Sequence, residues 1–162
     1  MNSSKIQFYN TLSRKKETFT PINKDEVLMY SCGPTVYNYP HIGNYRAYIF
    51  ADTLKRVLLY NGYKVKHVMN ITDIDDKTIR DSQKEGRTLK EFTEFFTKEF
   101  LKGIKSLNIL EPNKFTKATD YIDEMVEIIK KLLEKGYAYK SEDCLFGEEV
   151  RFSRACVDCS ST

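Results

Sequence analysis

A thiol, a histidine and two glycines lie close together in one short segment of this sequence, between Cys32 and Asn44. The segment runs Cys-Gly-Pro-Thr-Val-Tyr-Asn-Tyr-Pro-His-Ile-Gly-Asn. Glycine lets a phosphate or a flat ring approach the backbone, and histidine can donate a hydrogen bond to a phosphoryl oxygen on which negative charge builds up. These residue types therefore favour small-molecule chemistry with a phosphate group among the ligands.

The residues His41, Gly43 and Asn44 come directly before a helical pattern. A helix N-terminus offers unpaired N–H groups and a partial positive charge, and both favour a bound phosphate. A histidine in this position also serves simply as a helix cap, and the residues alone leave both interpretations open. Cys32 has two interpretations as well, because a lone cysteine is either a small apolar filler of the core or a reactive ligand group.

A second polar cluster follows at Asn70-Ile71-Thr72-Asp73-Ile74-Asp75-Asp76-Lys77. Carboxylates gathered in one loop suit a hard divalent cation. The alternative, which we favour, is that Asp75 and Asp76 precede a helix and act as its cap and its first-turn anion.

Both clusters follow segments with strand character, and a helix separates them. Val27–Cys32 is a short apolar run typical of a strand buried on both faces of a parallel sheet. Tyr63–Met69 alternates as a second strand. The intervening helix ends at Asn61-Gly62, and its predicted apolar face consists of Ala47, Phe50, Ala51, Leu54, Val57 and Leu58. Strand, helix and strand predict the α/β class, with both clusters lining one crevice at the carboxyl ends of the strands.

The flanking segments complete the predicted order of elements. An edge strand over Ile6–Tyr9 leads into a polar loop, and a helix capped at Thr88 buries Phe92, Phe96 and Phe100. A further helix spans Ile122–Leu133 and is followed by a hairpin built around Ser141-Glu142-Asp143. The tail from 147 to 162 shows no periodicity; it contains Cys156 and Cys159, whose spacing alone is weak support for a zinc or redox site.

The length, the charge balance and the absence of long apolar runs limit the number of domains, the class of partner and the location. The chain has 162 residues, enough for one ordinary core, and its 26 basic against 23 acidic residues are too balanced for a dedicated nucleic-acid binder. No apolar run approaches the roughly 20 residues that span a bilayer, and the N-terminus lacks the apolar centre of a secretory signal. We therefore predict no membrane segment, a cytoplasmic location, and cysteines that act as thiols or metal ligands.

Taken together, these motifs closely resemble the cysteinyl-tRNA synthetases, a family of class I aminoacyl-tRNA synthetases. The motifs are Cys-Gly-Pro-Thr-Val-Tyr, His-Ile-Gly-Asn and Asn-Ile-Thr-Asp-Ile-Asp-Asp-Lys, and the resemblance covers roughly residues 6–140. It implies the first half of a Rossmann-like parallel sheet. Residues 1–140 would form the amino-terminal half of the catalytic domain, and residues 141–162 the start of a connective insertion or a divergent tail.

The resemblance also implies a role for each candidate residue. His41 and Gly43 would hold ATP, which binds together with Mg²⁺. Asn44 stands where the family usually has histidine, and its side-chain amide can still donate a hydrogen bond to a phosphate. Cys32 would be one ligand of a Zn²⁺ ion that binds the substrate thiolate. Gly33 and Thr72 would face the amino-acid pocket. The implied substrates and partners are cysteine, ATP and tRNA(Cys).

The sequence departs from the family pattern in its second half. The family's remaining zinc ligands and its lysine-rich signature loop have no counterpart here, so we expect incomplete activity, or none, from this chain alone. The chain resembles an amino-terminal portion of the enzyme that is truncated, alternatively ended or otherwise incomplete, and whether a second polypeptide carrying the missing signature complements it stays open. Two alternatives stay open. One is a non-catalytic nucleotide- or partner-binding module, and the other is a ligase that joins cysteine to a small amine.

Overall fold

The computed structural model describes residues 6–141 and 144–147. Its strands are β1 (Gln7–Asn10), β2 (Lys15–Thr18), β3 (Val27–Ser31), β4 (Val65–Ile71), β5 (Lys114–Lys117), β6 (Ala138–Ser141) and β7 (Cys144–Gly147). Its α-helices are α1 (Ile42–Tyr60), α2 (Asp76–Lys84), α3 (Leu89–Ser106) and α4 (Ile122–Glu134), and a 3₁₀ turn (Ala118–Tyr121) precedes α4. None of the helices in the described part of the chain combines the length and apolar character that crossing a bilayer requires.

A parallel sheet of β3, β4 and β5, in that order, is the centre of the fold. Val27 of β3 pairs with Val65 of β4, and Met69 of β4 pairs with Phe115 of β5. Helix α1 connects β3 to β4, as parallel strands require a crossover connection. The predicted α/β class and its strand–helix–strand unit are confirmed.

Helices α1 and α3 pack on one face of this sheet and form two adjoining apolar clusters. The first contains Tyr48, Met69, Phe100, Ile104 and Ile109, and the second contains Val36, Ile71, Phe92 and Phe96. The phenylalanine stripe of α3 is therefore core, as predicted, and Phe100 is completely buried. This packing fixes the carboxyl ends of β3 and β4, where the candidate residues lie.

The opposite face of β3 is open, so the prediction of a strand buried on both faces is wrong. Leu28 is 73% exposed and Tyr30 is 67% exposed, whereas Val27 is buried. Side chains alternate along a strand, and α1 and α3 both cover the same face of the sheet. We call the uncovered side, which carries Leu28, Tyr30 and Asn70, the open face.

The predicted buried stripe of α1 is correct only in part. Ala51 and Leu58 are buried, but Phe50 is 74% exposed and Ala47 is exposed. The buried positions also include Tyr48, Asp52 and Lys55.

The two buried charges of α1 are accommodated by the backbone that precedes β5. The Asp52 carboxylate accepts from the Leu110 N–H at 2.9 Å, and the Lys55 ammonium donates to the Glu111 carbonyl at 2.6 Å. Buried charges need such partners, and an apolar pattern carries no sign of them.

The N-terminal segment forms a sheet of its own, which corrects the predicted edge strand and loop. β1 pairs with β2 in an antiparallel hairpin, with Phe8 opposite Glu17. Arg14, with a φ of 56°, lies in the turn between them. The charged segment that was predicted as a loop thus includes strand β2. Lysine and glutamate have a weak strand propensity, but backbone pairing with β1 outweighs it.

The remaining elements agree with prediction except for β5. Helix α4 is present, and β6 and β7 form the predicted antiparallel hairpin. β5 was not predicted, since Lys-Phe-Thr-Lys is short and polar and gives no periodic signal. Most of the predicted tail, with Cys156 and Cys159, lies outside the described residues.

Candidate active site

The loops that follow β3 and β4 are joined by hydrogen bonds at one edge of the sheet. The Thr72 N–H donates to the Pro34 carbonyl at 2.9 Å, and the Val36 N–H donates to the Thr72 carbonyl at 3.1 Å. Thr35 and Thr72 form a parallel bridge. The two loops therefore meet at one edge of the sheet, as expected, and their junction is held by backbone hydrogen bonds rather than by flexible side chains.

A cavity of about 560 Å³ opens beside this junction on the open face of the sheet. Its lining includes Tyr30, Asn70, Thr72, Thr116, Tyr121 and Met125. Among the predicted site residues, Thr72 lines this cavity. Cys32 and Gly33, in the turn after β3, are not part of its lining, and His41, Gly43 and Asn44 lie outside it at the start of α1. The structure therefore separates the candidate residues into a cavity end and a helix end.

At the helix end, the His41 side chain caps α1. Its Nδ1 accepts from the Gly43 N–H at 3.0 Å, and the His41 N–H donates to the Asn44 Oδ1 at 3.0 Å. Because Nδ1 accepts a hydrogen bond, the proton of the neutral ring lies on Nε2. The Asn44 side chain accepts through Oδ1, so its Nδ2 hydrogens likewise stay available for donation. Capping thus leaves a hydrogen-bond donor on each of these exposed side chains, and His41 can cap the helix and also bind a phosphate.

Gly43 makes room for that imidazole. A Cβ built on Gly43 would lie 2.7 Å from Cε1 and 3.1 Å from Nδ1 of His41. A side chain at this position would displace the ring or break the cap.

Gly33 is needed for a different reason. A Cβ at this position would overlap the carbonyl oxygen of Asn70 and would lie 2.9 Å from Cγ of Met69. The backbone between Cys32 and Pro34 therefore passes directly against β4, and only glycine permits that approach.

The Cys32 thiol is exposed, so the core-filler interpretation is excluded. Its Sγ lies 3.5 Å from the Gly33 carbonyl oxygen. The pKa of Tyr48 is raised to about 12. Burial is the largest cause, and repulsion from the negatively charged forms of Cys32 and Tyr45 adds to it. Among the described residues, no three histidine, cysteine, aspartate or glutamate side chains are grouped to hold a metal ion.

The aspartates of the second loop have structural roles. The Asp75 carboxylate caps α2 by accepting from the Thr78 N–H at 3.0 Å, and Asp76 lies in the first turn, as favoured from the sequence. Asp73 is 6% exposed and accepts from both the N–H and the hydroxyl of Thr119, at 2.9 and 2.6 Å. Asp73 thus attaches the second loop to the segment that follows β5.

The profile of the family described as the tRNA synthetases class I (C) catalytic domain matches residues 18–158, which is most of the chain. The chain belongs to this family.

Curated relatives of this synthetase-family chain include two cysteine–tRNA ligases. That of Methanosarcina mazei is 58% identical over 135 residues, which are 83% of this chain and 28% of that protein. That of Koribacter versatilis is 51% identical over 138 residues, which are 85% of this chain and 28% of that protein. The chain thus spans 28% of the length of each of these two relatives.

Solved structures show the same fold. The LeuRS of Agrobacterium radiobacter K84, in a ternary complex with tRNA and LeuAMS, gives a TM-score of 0.61 at 22% identity over 74% of this chain and 16% of that one. The Mycobacterium tuberculosis methionyl-tRNA synthetase in complex with methionyl-adenylate gives 0.60 at 20% identity over 69% of this chain and 23% of that one. The predicted Rossmann-like fold of a class I synthetase is confirmed.

Several residues of the crevice in this synthetase-family chain were not predicted as site residues. Tyr30, Asn70 and Tyr121 line the cavity, and Asn70 makes side-chain hydrogen bonds to both loops. Asn70 does belong to the second sequence motif, and strand alternation from the buried Met69 places it on the open face. Tyr121 follows β5, which was not predicted, so no sequence pattern pointed to Tyr121.

Proposed function

We propose that this chain is the part of a cysteine–tRNA ligase that binds ATP and cysteine. Such a ligase joins cysteine to ATP as cysteinyl-adenylate, with release of pyrophosphate, and then transfers the cysteinyl group to a terminal hydroxyl of tRNA(Cys), with release of AMP. The observation that carries the proposal is the backbone-joined junction of the two loops beside the cavity, in a chain 58% identical to a cysteine–tRNA ligase over most of its length.

The helix end of the site is proposed to hold ATP together with its Mg²⁺. His41 would donate from Nε2 to a phosphate oxygen, and Asn44 would donate from Nδ2. Gly43 supports this role because its missing side chain leaves the space that the imidazole occupies. The start of α1 adds a partial positive charge that favours the phosphates.

The cavity end is proposed to hold cysteine. Thr72 lines the cavity, and Gly33 brings the turn after β3 against β4 beside it. The described residues alone do not build a zinc site. Cys32 would therefore supply one exposed thiolate ligand, and the other ligands would come from elsewhere. A zinc ion favours the thiolate of a cysteine substrate over the hydroxyl of serine, because thiolate is the softer ligand.

The extent of the chain limits what it is expected to do alone. Residues 1–140 are proposed to be the amino-terminal half of the catalytic domain, and residues 141–162 the start of a connective insertion or a divergent tail. The 162 residues lack the lysine-rich signature named above, so we expect the full reaction only where the remaining catalytic parts of the family are also present. We propose that the protein is cytoplasmic.

A second candidate function is a non-catalytic module that keeps the fold and binds a nucleotide without turning it over. The helix end of the site, where His41 caps α1 over Gly43, fits nucleotide binding with or without turnover.

Two measurements test the proposal and separate the candidates. In cysteine-dependent exchange of pyrophosphate into ATP, we expect background rates from the chain alone and a restored rate when a polypeptide with the remaining catalytic parts of a relative is added. Calorimetry should show binding of ATP and Mg²⁺, and His41→Ala should weaken this binding. Lys16→Ala, on the exposed hairpin, is the control and should leave the affinity unchanged. Strong exchange by the chain alone contradicts the incomplete site. Binding without any restored exchange favours the non-catalytic module, and absence of nucleotide binding contradicts both candidates.

A further inference from the structure

The side-chain amide of Asn70 connects three groups of the crevice. Its Oδ1 lies 2.8 Å from the Gly33 nitrogen and 3.0 Å from the Tyr30 hydroxyl, and its Nδ2 lies 3.1 Å from the Thr72 Oγ1. Asn70 thereby contacts the end of β3, the turn after it and the loop after β4.

The orientation of this amide follows from its partners. A backbone N–H can only donate, so the Asn70 atom facing Gly33 must be the oxygen. The nitrogen then faces Thr72, and an amide nitrogen donates but does not accept. Thr72 Oγ1 is therefore the acceptor in this hydrogen bond, and its own hydrogen stays available. Among the described residues, the Asn70 amide is the hydrogen-bond partner of that hydroxyl.

We propose that Asn70 is a positioning residue that fixes the turn at Gly33 and leaves the Thr72 hydroxyl as a hydrogen-bond donor to the bound amino acid. This inference rests on the proposed function, since Thr72 contacts substrate only if the cavity holds cysteine or its adenylate. The acceptor on the ligand would be an oxygen or sulfur that carries negative charge, because hydrogen bonds to charged acceptors are the stronger ones.

Asn70→Asp separates the two roles of the amide. One carboxylate oxygen still accepts from Gly33 and Tyr30, so the turn stays in place. The other oxygen cannot donate, and it takes the hydrogen of Thr72 instead. The Thr72 hydroxyl is then no longer available to the ligand, although every residue around it keeps its size.

The first test is a double-mutant cycle in the 162-residue chain, with calorimetry of a stable sulfamoyl analogue of cysteinyl-adenylate. We expect Thr72→Val to weaken binding about tenfold when residue 70 is Asn, as loss of one hydrogen bond of roughly 1.4 kcal/mol predicts. Thr72→Ser should restore the affinity. In the Asn70→Asp background, Thr72→Val should change the affinity less than about twofold. The cycle cancels the effect of the added charge, and equal losses in both backgrounds would overturn the proposal.

The second test needs no ligand. Amide hydrogen exchange of Gly33 should be slow in the unmodified chain and in Asn70→Asp, and at least about tenfold faster in Asn70→Ala, which lacks the acceptor. Unchanged Gly33 exchange in a folded Asn70→Ala variant would overturn the positioning role. If that variant does not fold, the side-chain NH₂ of Asn70 serves instead. Its exchange should be faster in Thr72→Val than in Thr72→Ser, and equal exchange in the two would overturn the proposed connection.

The two tests distinguish the two proposals. If the unmodified chain does not bind the adenylate analogue, the proposed function fails, and the exchange measurements alone decide whether Asn70 positions the two loops.

Discussion

The imidazole of His41 lies over the backbone of Gly43, with its Nδ1 3.0 Å from the Gly43 nitrogen. This single contact caps α1, and it also sets the tautomer of the ring, since the nitrogen that accepts from the backbone cannot carry the proton. The opposite nitrogen is consequently a donor. Helix capping and ligand recognition thus use different atoms of one side chain, and substitutions can separate them.

The first prediction concerns His41→Asn compared with His41→Ala. Asparagine is a good N-cap, so His41→Asn should keep the free energy of unfolding within about 0.5 kcal/mol, whereas His41→Ala should lose about 1 kcal/mol. Both lack the imidazole and should bind ATP several-fold more weakly in calorimetry. Full ATP affinity in His41→Asn would show that the ring serves only as a cap.

The second prediction concerns Gly43→Ala. The new methyl group would meet the His41 ring at 2.7 Å, so the ring must turn away and the cap must be lost. We expect a loss of about 1 kcal/mol in chemical denaturation, together with weaker ATP binding. The double variant Gly43→Ala, His41→Ala should be no less stable than His41→Ala alone. Additive losses would contradict the steric explanation.

The third prediction compares Gly33→Ala with Gly86→Ala. At Gly33 the methyl group would overlap the backbone of β4, and this overpacking should cost about 3 kcal/mol. Gly86 has a φ of 63° and no atom within 4 Å of a built Cβ, so alanine there should cost only the roughly 1 kcal/mol of a left-handed backbone. Urea denaturation measures both costs. Equal losses would mean that the turn can move away from Asn70.

The fourth prediction concerns acid stability and His67, which is 2% exposed. Burial, followed by the positive charge of Lys55, lowers the pKa of His67 below its ordinary value of 6.5, against an opposing contribution from Asp52. The folded chain therefore keeps the ring neutral while the unfolded chain takes up a proton. Stability should be complete above pH 6.5 and should fall as the pH decreases from there towards the lowered pKa of the folded state.

Thermal unfolding at about pH 7.5 and about pH 5.5 tests this, because the two values lie on either side of the ordinary pKa of histidine, at which the unfolded chain takes up its proton. His67→Gln should reduce the difference between the two melting temperatures. The sequence contains only one other histidine, so His41→Asn is the matched control and should leave the contribution of His67 intact. The explanation fails if His67→Gln is as sensitive to acid as the parent chain.

The fifth prediction concerns the contact between Asp73 and Thr119. Asp73→Ala removes an acceptor for two hydrogen bonds and should cost about 2 kcal/mol. Thr119→Ser keeps both donors and should cost much less, whereas Thr119→Val loses the hydroxyl donor and should fall between them. Guanidinium denaturation with a constant slope measures these differences. If Thr119→Ser lowered the free energy of unfolding as much as Asp73→Ala, the stabilisation would come from the threonine methyl group and not from the hydrogen bonds.

The sequence was sufficient to predict the two loops, the helix between them and their common edge of the sheet. Local signals carried these features: the apolar run ending at Gly33-Pro34, the pattern before Gly62, and the capping residues at Asp75 and Thr88. The phenylalanine stripe of α3 was equally direct, because a helical period has one obvious buried face.

The features that sequence reasoning missed depend on contacts between distant residues. Asp52 and Lys55 are buried because backbone groups more than fifty residues away satisfy them. β5 exists because it pairs with β4, and Leu28 and Tyr30 are exposed because α1 and α3 share one face of the sheet. Asn70 is part of the site through three partners, only one of which is nearby in sequence.

The hydrogen bonds between Pro34, Val36 and Thr72 also bear on the order of folding during synthesis. Both partners of each bond lie within about forty residues of one another, near the beginning of the chain. Protein domains generally fold as units, starting from the N-terminus as the ribosome releases them. A nascent chain that has emerged from the ribosome as far as Thr72 thus already carries both sides of the junction, before α3 and β5 have emerged.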